Sequence, residues 1–173
     1  MQIGKPIEFY SCFISYSHAD KAFARRLHDG LQMRGIRCWL DEHQLLPGDD
    51  IYEGVDRGIR LWDKVLLCCS EASLTSWWVD KEIATALDKE QQLMRQRASE
   101  LKGRQVRCLI PLNLDGYLFD EWESPKAKVV KTRMAADFTG WEHDNTRYEA
   151  AFEKVVTALR IEGGREEPPA PKL

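Results

Sequence analysis

The chain of 173 residues contains no apolar run near the roughly 20 residues that a membrane-spanning helix requires. Its N-terminus lacks the basic and then apolar pattern of a secretion signal, so we expect a cytoplasmic protein that makes no membrane contact. Charge of one sign is not in excess, because the net charge is only −3 with 31% charged residues. This balance argues against an acidic disordered chain and against a surface that binds nucleic acid through its overall charge.

Metal and dinucleotide motifs are also missing. The four histidines have no paired spacing of the kind that binds zinc, and no Gly-x-Gly-x-x-Gly fingerprint is present. The five cysteines fall in strand-like runs, and an odd number of buried thiols fits a reducing compartment. Cys68 and Cys69 are adjacent on one strand and should point to opposite faces, which argues against a redox pair. We therefore expect no metal and no bound cofactor.

A basic stretch between residues 95 and 107 is the one segment that suggests nucleic-acid binding. Glu100 interrupts it, and no aromatic side chains alternate with its arginines and lysines as they do in single-strand binding surfaces. The pattern is more typical of a solvated helix and loop, so we expect no direct contact with nucleic acid.

The most informative segment of the sequence places a carboxylate beside a tryptophan at the start of an amphipathic helix. Trp78 and Glu82 are four residues apart and share one helical face, next to an apolar stripe that includes Val79 and Ile83. Glu82 is therefore predicted at the edge of buried surface, where an acid can bind hydroxyl groups or stabilise a cation. The alternative is a boundary glutamate next to a tryptophan that only packs.

Apolar and β-branched runs predict five strands, and periodic stretches between them predict helices. The strands are expected at 9–16, 36–40, 65–69, 108–112 and 134–138. Ser17 and Asp20 have the spacing of a capping box at the start of the first helix, and Gly35 is a candidate stop for it. Further helices are expected over 51–59, from Trp78, and from 144 or 145 to 159.

Strands that alternate with helices predict an α/β fold, a flavodoxin-like three-layer sandwich with a five-stranded parallel sheet. In that strand order, ligands bind between the carboxyl ends of the first and third strands. Tyr16 and Ser17 end the first strand, and Ser70 ends the third shortly before the helix of Glu82. A phospho-acceptor receiver is disfavoured, because receivers need an aspartate where Ser70 stands.

The domain is expected to cover residues 8–161. Residues 1–7 read as a flexible lead-in, and 162–173 are rich in Gly, Glu and Pro, as in a disordered linker or a tag remnant. A linker would lead to a further domain, such as a sensor, beyond the C-terminus.

Three segments in order resemble the Toll/interleukin-1 receptor (TIR) domains. Residues 9–17, FYSCFISYS, look like the first box of that family, and Leu45, Leu46, Pro47 and Gly48 look like its second box, in the BB loop. Residues 78–83, WVDKEI, resemble the Trp-x-x-x-Glu segment of the NAD-cleaving members. The resemblance covers most of residues 8–160.

The resemblance implies hydrolysis of NAD+ at the nicotinamide–ribose bond, giving nicotinamide and ADP-ribose or a cyclic form. NAD+ is then the substrate and no cofactor is needed. It implies Glu82 as the catalytic residue, with Trp78, Tyr16, Ser17 and Asp41 as substrate-binding residues. Axonal-type members carry arginine after the first-box tyrosine, where Ser17 stands here, so phosphate recognition is left unassigned.

The resemblance also implies head-to-tail assembly with other TIR domains through the loop that carries Leu45, Leu46, Pro47 and Gly48. It favours the effector domain of a bacterial immune system, activated by self-association. A non-catalytic TIR–TIR scaffolding module is the main alternative. A nucleoside 2-deoxyribosyltransferase-like enzyme on a similar fold is another, and it would transfer deoxyribose between bases.

Overall fold

The computed structural model describes residues 7–42, 62–101, 106–133 and 135–161. The strands in these ranges are β1 (Cys12–Tyr16), β2 (Cys38–Glu42), β3 (Lys64–Cys69), β4 (Leu109–Asn113) and β5 (Ala136–Asp137). The helices are α1 (Lys21–Met33), α2 (Glu71–Leu74), α3 (Val79–Gln96), α4 (Ala98–Leu101), α5 (Tyr117–Asp120), α6 (Ala127–Lys131) and α7 (Asn145–Leu159). The helix predicted over 51–59 lies outside the described residues.

The strands form one parallel sheet in the order β2-β1-β3-β4-β5. Ile14 of β1 pairs with Leu40 of β2 on one side and with Leu66 of β3 on the other, and Leu66 pairs in turn with Ile110 of β4. β1 and β3 are thus neighbours at the centre, although β2 lies between them in sequence. The predicted flavodoxin-like strand order is confirmed.

The two faces of the sheet are covered by separate apolar layers. Ile14 and Leu66 face a layer that contains α1 and α7, called here the α1–α7 layer, with Phe23 and Phe152 among its buried residues. Side chains one position away on the same strands face a second layer, the α3 layer. Its buried residues include Phe13, Val65, Leu67, Ile83, Leu118 and Val130. Cys68 faces the first layer and Cys69 the second, as the alternation of strand side chains requires.

The C-terminus of α1 has the stop predicted for it. Gly35 has φ +78, a left-handed conformation that glycine adopts without steric cost. Its N–H donates to the carbonyl of Gln32 at 2.9 Å, and the N–H of Ile36 donates to that of Leu31 at 3.0 Å. These two hydrogen bonds form a Schellman motif, which satisfies helix carbonyls and directs the chain into β2.

Strand β1 is shorter than predicted, because residues 9 and 10 leave the parallel sheet. Phe9 forms an isolated antiparallel bridge with Arg160, and the N–H of Tyr10 donates to the carbonyl of Leu159 at 2.8 Å. The segment that leads into the sheet is thereby tied to the end of α7.

The far end of α3 is fastened to the sheet by a buried ion pair. Both terminal nitrogens of Arg133 donate to the two carboxylate oxygens of Glu90, each at 2.6 Å. Glu90 also accepts the backbone N–H groups of Cys108 and Leu109, at 2.7 and 3.0 Å, where β4 begins. The helix that carries Glu82 is therefore fixed to the sheet at the amino end of β4.

Among the described residues, no helix is long and apolar enough to cross a membrane.

Candidate active site

The carboxyl ends of β1 and β3 meet at the centre of the sheet. From there the chain leaves β1 toward β2 on one side, and leaves β3 toward β4 on the other. In open α/β sheets, ligands bind where two connections diverge in this way, between the loops that follow the two strands; this position between the loops after β1 and β3 is called here the crevice. Tyr16 and Ser17 lie at the first of these strand ends and Ser70 at the second.

Glu82 and Trp78 lie on the buried side of the first turn of α3. Trp78 occupies the position before the helix begins, and its carbonyl accepts the N–H of Glu82 at 3.1 Å. Trp78 is 4% exposed and Glu82 is 0% exposed, whereas the neighbouring Trp77 is 54% exposed. Our prediction that Glu82 sits at the edge of the buried surface was wrong, because this turn of the helix is packed into the α3 layer beside Val79 and Ile83.

Tyr16 and Ser17 stand at the end of β1, but their side chains have different surroundings. Tyr16 is 2% exposed and belongs to the α1–α7 layer, on the face of the sheet opposite Trp78. The half-buried Ser17 hydroxyl donates to Oδ2 of Asp20 at 3.1 Å. Strand β1 therefore carries both residues to its carboxyl end, whereas Trp78 is packed in the layer on the opposite face of the sheet.

The capping box predicted for Ser17 and Asp20 is wrong. The chain forms a short 3-10 turn at His18–Asp20, and α1 begins only at Lys21. Neither Ser17 nor Asp20 makes a side-chain capping hydrogen bond. A capping box is found instead at α2, where the hydroxyl of Ser70 accepts the N–H of Ser73 and that of Ser73 accepts the N–H of Ser70.

The second strand was expected to end at residue 40, but β2 continues through Asp41 to Glu42. Asp41 pairs in register with Ser15 of β1, so its backbone belongs to the sheet. Side chains at 41 and 42 lie outside what the structure describes. So do Leu45, Leu46, Pro47 and Gly48, the predicted self-association loop.

Asp20 is a further residue of this crevice, which the sequence pattern indicated only as part of a cap. Oδ2 of Asp20 accepts a second hydrogen bond from the hydroxyl of Ser70, at 2.5 Å. The carboxylate thus joins the loop after β1 to the end of β3. Only the strand order brings these residues together, because they are 50 positions apart in the sequence.

The loop after β4 lies at the same end of the sheet, the carboxyl end of the strands. Asp115 accepts the N–H of Glu71 at 2.9 Å through Oδ2, and the N–H of Tyr117 at 3.0 Å through Oδ1. This side chain therefore joins the start of α2 to the start of α5. Loops after three strands are connected to one another around the carboxyl end of β3.

Nearby carboxylates affect the pKa values of groups at this end of the sheet. Burial raises the pKa of Asp20; hydrogen bonds from Ser70 and Ser17 oppose that rise, and Asp115 adds to it. The pKa of the Cys68 thiol is raised well above its usual value, chiefly by burial and further by negative charge at Asp20 and Glu82, among others. Both acids are therefore within electrostatic reach of the end of β3, approaching from different elements.

Within the described residues, no cluster of three or more His, Cys, Asp or Glu side chains could hold a metal ion. The arrangement places a buried carboxylic acid, Glu82, one helical turn from the indole of Trp78, on the helix that follows the end of β3. A carboxylate in apolar surroundings can stabilise a developing cation strongly, because the field of its charge is poorly screened there.

The sequence of the chain is similar to those of several known proteins. The chain is 32% identical over 130 residues to the stimulator of interferon genes protein of Magallana gigas, covering 75% of this chain and 29% of that protein. It is 30% identical over 82 residues to the NAD(+) hydrolase TcpA of a Theionarchaea archaeon, covering 47% of this chain and 25% of the hydrolase. The chain thus spans less than a third of the length of either relative.

A solved structure of a metazoan TIR-STING receptor from C. gigas has a similar fold. It superposes with a TM-score of 0.54 at 25% identity, covering 88% of this chain and 42% of the receptor chain. The family model of the TIR domain matches residues 12–156, which include every described strand and all but the last turn of α7. The chain therefore belongs to the TIR domain family.

Proposed function

We propose that this TIR domain cleaves NAD+ at the bond between nicotinamide and ribose, releasing nicotinamide and ADP-ribose or a cyclic ADP-ribose. The observation that carries the proposal is the complete burial of Glu82, one helical turn from Trp78, in the first turn of the helix that follows the end of β3. The similarity to an NAD(+) hydrolase supports it from a second direction.

Cleavage of this bond requires little more from the protein than one well-placed carboxylate. When the C1′–N bond of NAD+ breaks, both electrons of the bond go to the nicotinamide nitrogen, which leaves as a neutral molecule and needs no proton. The ribose is left with oxocarbenium character. Glu82, as a carboxylate, would stabilise that charge, an electrostatic contribution of the kind that often dominates catalysis.

In the second half of the reaction, a nucleophile attacks the ribosyl cation. A water oxygen attacks C1′ and loses a proton, which gives ADP-ribose; a hydroxyl of the same ADP-ribose unit would give a cyclic product instead. Trp78 would provide a flat apolar wall that limits the access of water to C1′. Tyr16 and Ser17, at the end of β1, and Asp41, on the neighbouring β2, would bind the substrate from the opposite side.

We further propose that the domain works as an effector in a bacterial immune system and becomes active when it assembles with other copies. The loop with Leu45, Leu46, Pro47 and Gly48 would provide the contact between neighbours. A contact between two different surfaces does not close on itself, so such an assembly can grow, and a sensor domain could control activity by clustering.

Scaffolding without catalysis is the second candidate. It is favoured because the similarity to the TIR-STING receptor extends over more of this chain than the similarity to the NAD(+) hydrolase does. Incubating the purified chain with NAD+ over a range of protein concentrations, and separating the products by chromatography, distinguishes the two. Release of nicotinamide by the wild-type chain supports cleavage. Its absence at every concentration, with the protein folded, supports scaffolding.

The matched variants are Glu82→Gln and Asp88→Asn. Glu82→Gln removes the buried charge with little change in size and should lower the rate by about 100-fold or more. Asp88→Asn makes the corresponding change at a less buried position on the same helix and should leave the rate unaltered. Activity of folded Glu82→Gln within a few-fold of wild type would eliminate Glu82 as the catalytic residue.

A further inference from the structure

The carboxylate of Asp20 is the point at which the two sides of the crevice are connected. It accepts the Ser17 hydroxyl at 3.1 Å and the Ser70 hydroxyl at 2.5 Å, both on Oδ2. Ser17 lies directly after β1 and Ser70 directly after β3, the two strands between which the crevice opens. One oxygen atom therefore fixes the relative position of two loops.

The Ser70 side of this connection is rigid. Ser70 is 4% exposed, and its hydroxyl oxygen accepts the N–H of Ser73 at 3.2 Å while its proton is directed to Asp20. The hydroxyl of Ser73 in turn donates to the carbonyl of Cys68 within β3, at 2.5 Å. Asp20 is thus attached to the sheet itself, and Ser17 is attached to Asp20.

Asp20 is not needed to start its own helix. It precedes the first residue of α1, yet its side chain makes no capping hydrogen bond there. Burial makes the charged form less favourable, as the raised pKa of this group indicates. Burying this carboxylate in its charged form therefore costs folding free energy, and the carboxylate does not cap the helix. What it does in the structure is orient two hydroxyl groups.

We propose that Asp20 is a positioning residue, which holds the Ser17 hydroxyl in place to contact the ribose or nicotinamide end of the substrate. This inference rests on the proposed cleavage of NAD+ and goes further in assigning a role to a residue outside the resemblance. Asp20 itself need not touch the substrate. Its effect passes through Ser17, and this predicts a specific pattern among double variants.

Asp20→Ala should lower kcat/KM for NAD+ about tenfold or more, because a loosely held contact residue loses much of its effect. Asp20→Asn keeps one acceptor oxygen for both serines and should recover most of that loss. Since Asp20 acts through Ser17, the double variant Ser17→Ala/Asp20→Ala should be no slower than Ser17→Ala alone. Asp29→Ala, at an exposed position on α1, is the matched control and should behave as wild type.

Three outcomes would overturn the inference while wild-type cleavage stands. Ser17→Ala could prove as active as wild type, Asp20→Ala could match the Asp29→Ala control, or its loss could add in full to that of Ser17→Ala. Failure of the wild type to cleave NAD+ would instead overturn the proposed function, and the positioning role with it.

Hydrogen exchange tests the connection without any substrate. Asp20→Ala should speed amide exchange in the peptide that covers residues 17–20, and Asp29→Ala should not. Unchanged exchange in Asp20→Ala would show that Asp20 does not hold the loop, whatever the result with NAD+.

Discussion

The N–H of Glu82 donates to the carbonyl of Trp78 at 3.1 Å, and this hydrogen bond closes the first turn of α3 with both side chains buried. The tryptophan next to them, Trp77, is turned outward and is 54% exposed. Two adjacent tryptophans therefore allow a buried residue to be compared with a surface residue.

Trp78→Ala should lower the free energy of unfolding by about 3 kcal/mol or more, since it removes a buried indole. It should also reduce NAD+ turnover by opening the apolar wall beside Glu82. Trp77→Ala should change stability by less than about 0.5 kcal/mol. Urea unfolding with turnover measured on the same samples checks both; loss of turnover in Trp77→Ala alone would contradict the assigned roles.

The buried pair of Glu90 and Arg133 gives a prediction about stability alone. Glu90→Gln leaves the guanidinium of Arg133 buried without its counter-charge, which should cost about 3–5 kcal/mol. Glu153→Gln removes the same charge from an exposed pair with Arg34 and should cost less than about 1 kcal/mol. Thermal or urea unfolding of the two variants provides the test, and equal losses would refute the distinction.

Asp20 should make stability depend on pH in a definite direction. Its pKa is raised above the usual 3.8, so the folded state favours the protonated form. Its contribution is therefore most favourable below pH 3.8 and is lost as the pH rises through the folded-state pKa. A carboxamide cannot ionise, so Asp20→Asn should gain stability relative to wild type as the pH is raised from about 4 to about 7. Urea unfolding at both values measures this gain, and a difference independent of pH would contradict it.

Self-association predicts that specific NAD+ turnover rises with protein concentration. Leu46→Asp and Gly48→Pro should flatten that rise with the monomer still folded. Met33→Asp, at a position that is 88% exposed on α1, is the control for adding a charge to an apolar surface residue. Light scattering run in parallel reports assembly. Constant specific turnover over a hundredfold concentration range, with monomer throughout, would rule the assembly out and leave the role of Glu82 untouched.

Much of the fold could be predicted because it depends on local patterns. The continuous apolar run of β3 and the four-residue steps of α3 indicated their types, and the order of elements indicated the sheet. Two short helices between β4 and β5, α5 and α6, were not predicted, since each is too short to show a helical period. The strand expected at 134–138 is reduced to Ala136–Asp137.

The contacts that shape the site could not be predicted, because they join distant parts of the chain. Asp20 and Ser70 are 50 residues apart, and Glu90 and Arg133 are 43 apart. Local spacing suggested that Ser17 and Asp20 were capping partners, and tertiary structure uses both side chains differently. The in-register pair of Cys12 and Cys38 was likewise invisible in the sequence, because it depends on which strands are neighbours.

Helix α3 carries two buried acids, Glu82 in its first turn and Glu90 in the ion pair with Arg133, and this separates two kinds of damaged protein. A variant at Glu90 weakens the attachment of the helix, so it should work at low temperature and fail on warming. A variant at Glu82 should fail at every temperature while the protein remains folded. In genetic terms, substitutions of Glu90 or Arg133 should produce temperature-sensitive alleles, and substitutions of Glu82 should produce nulls.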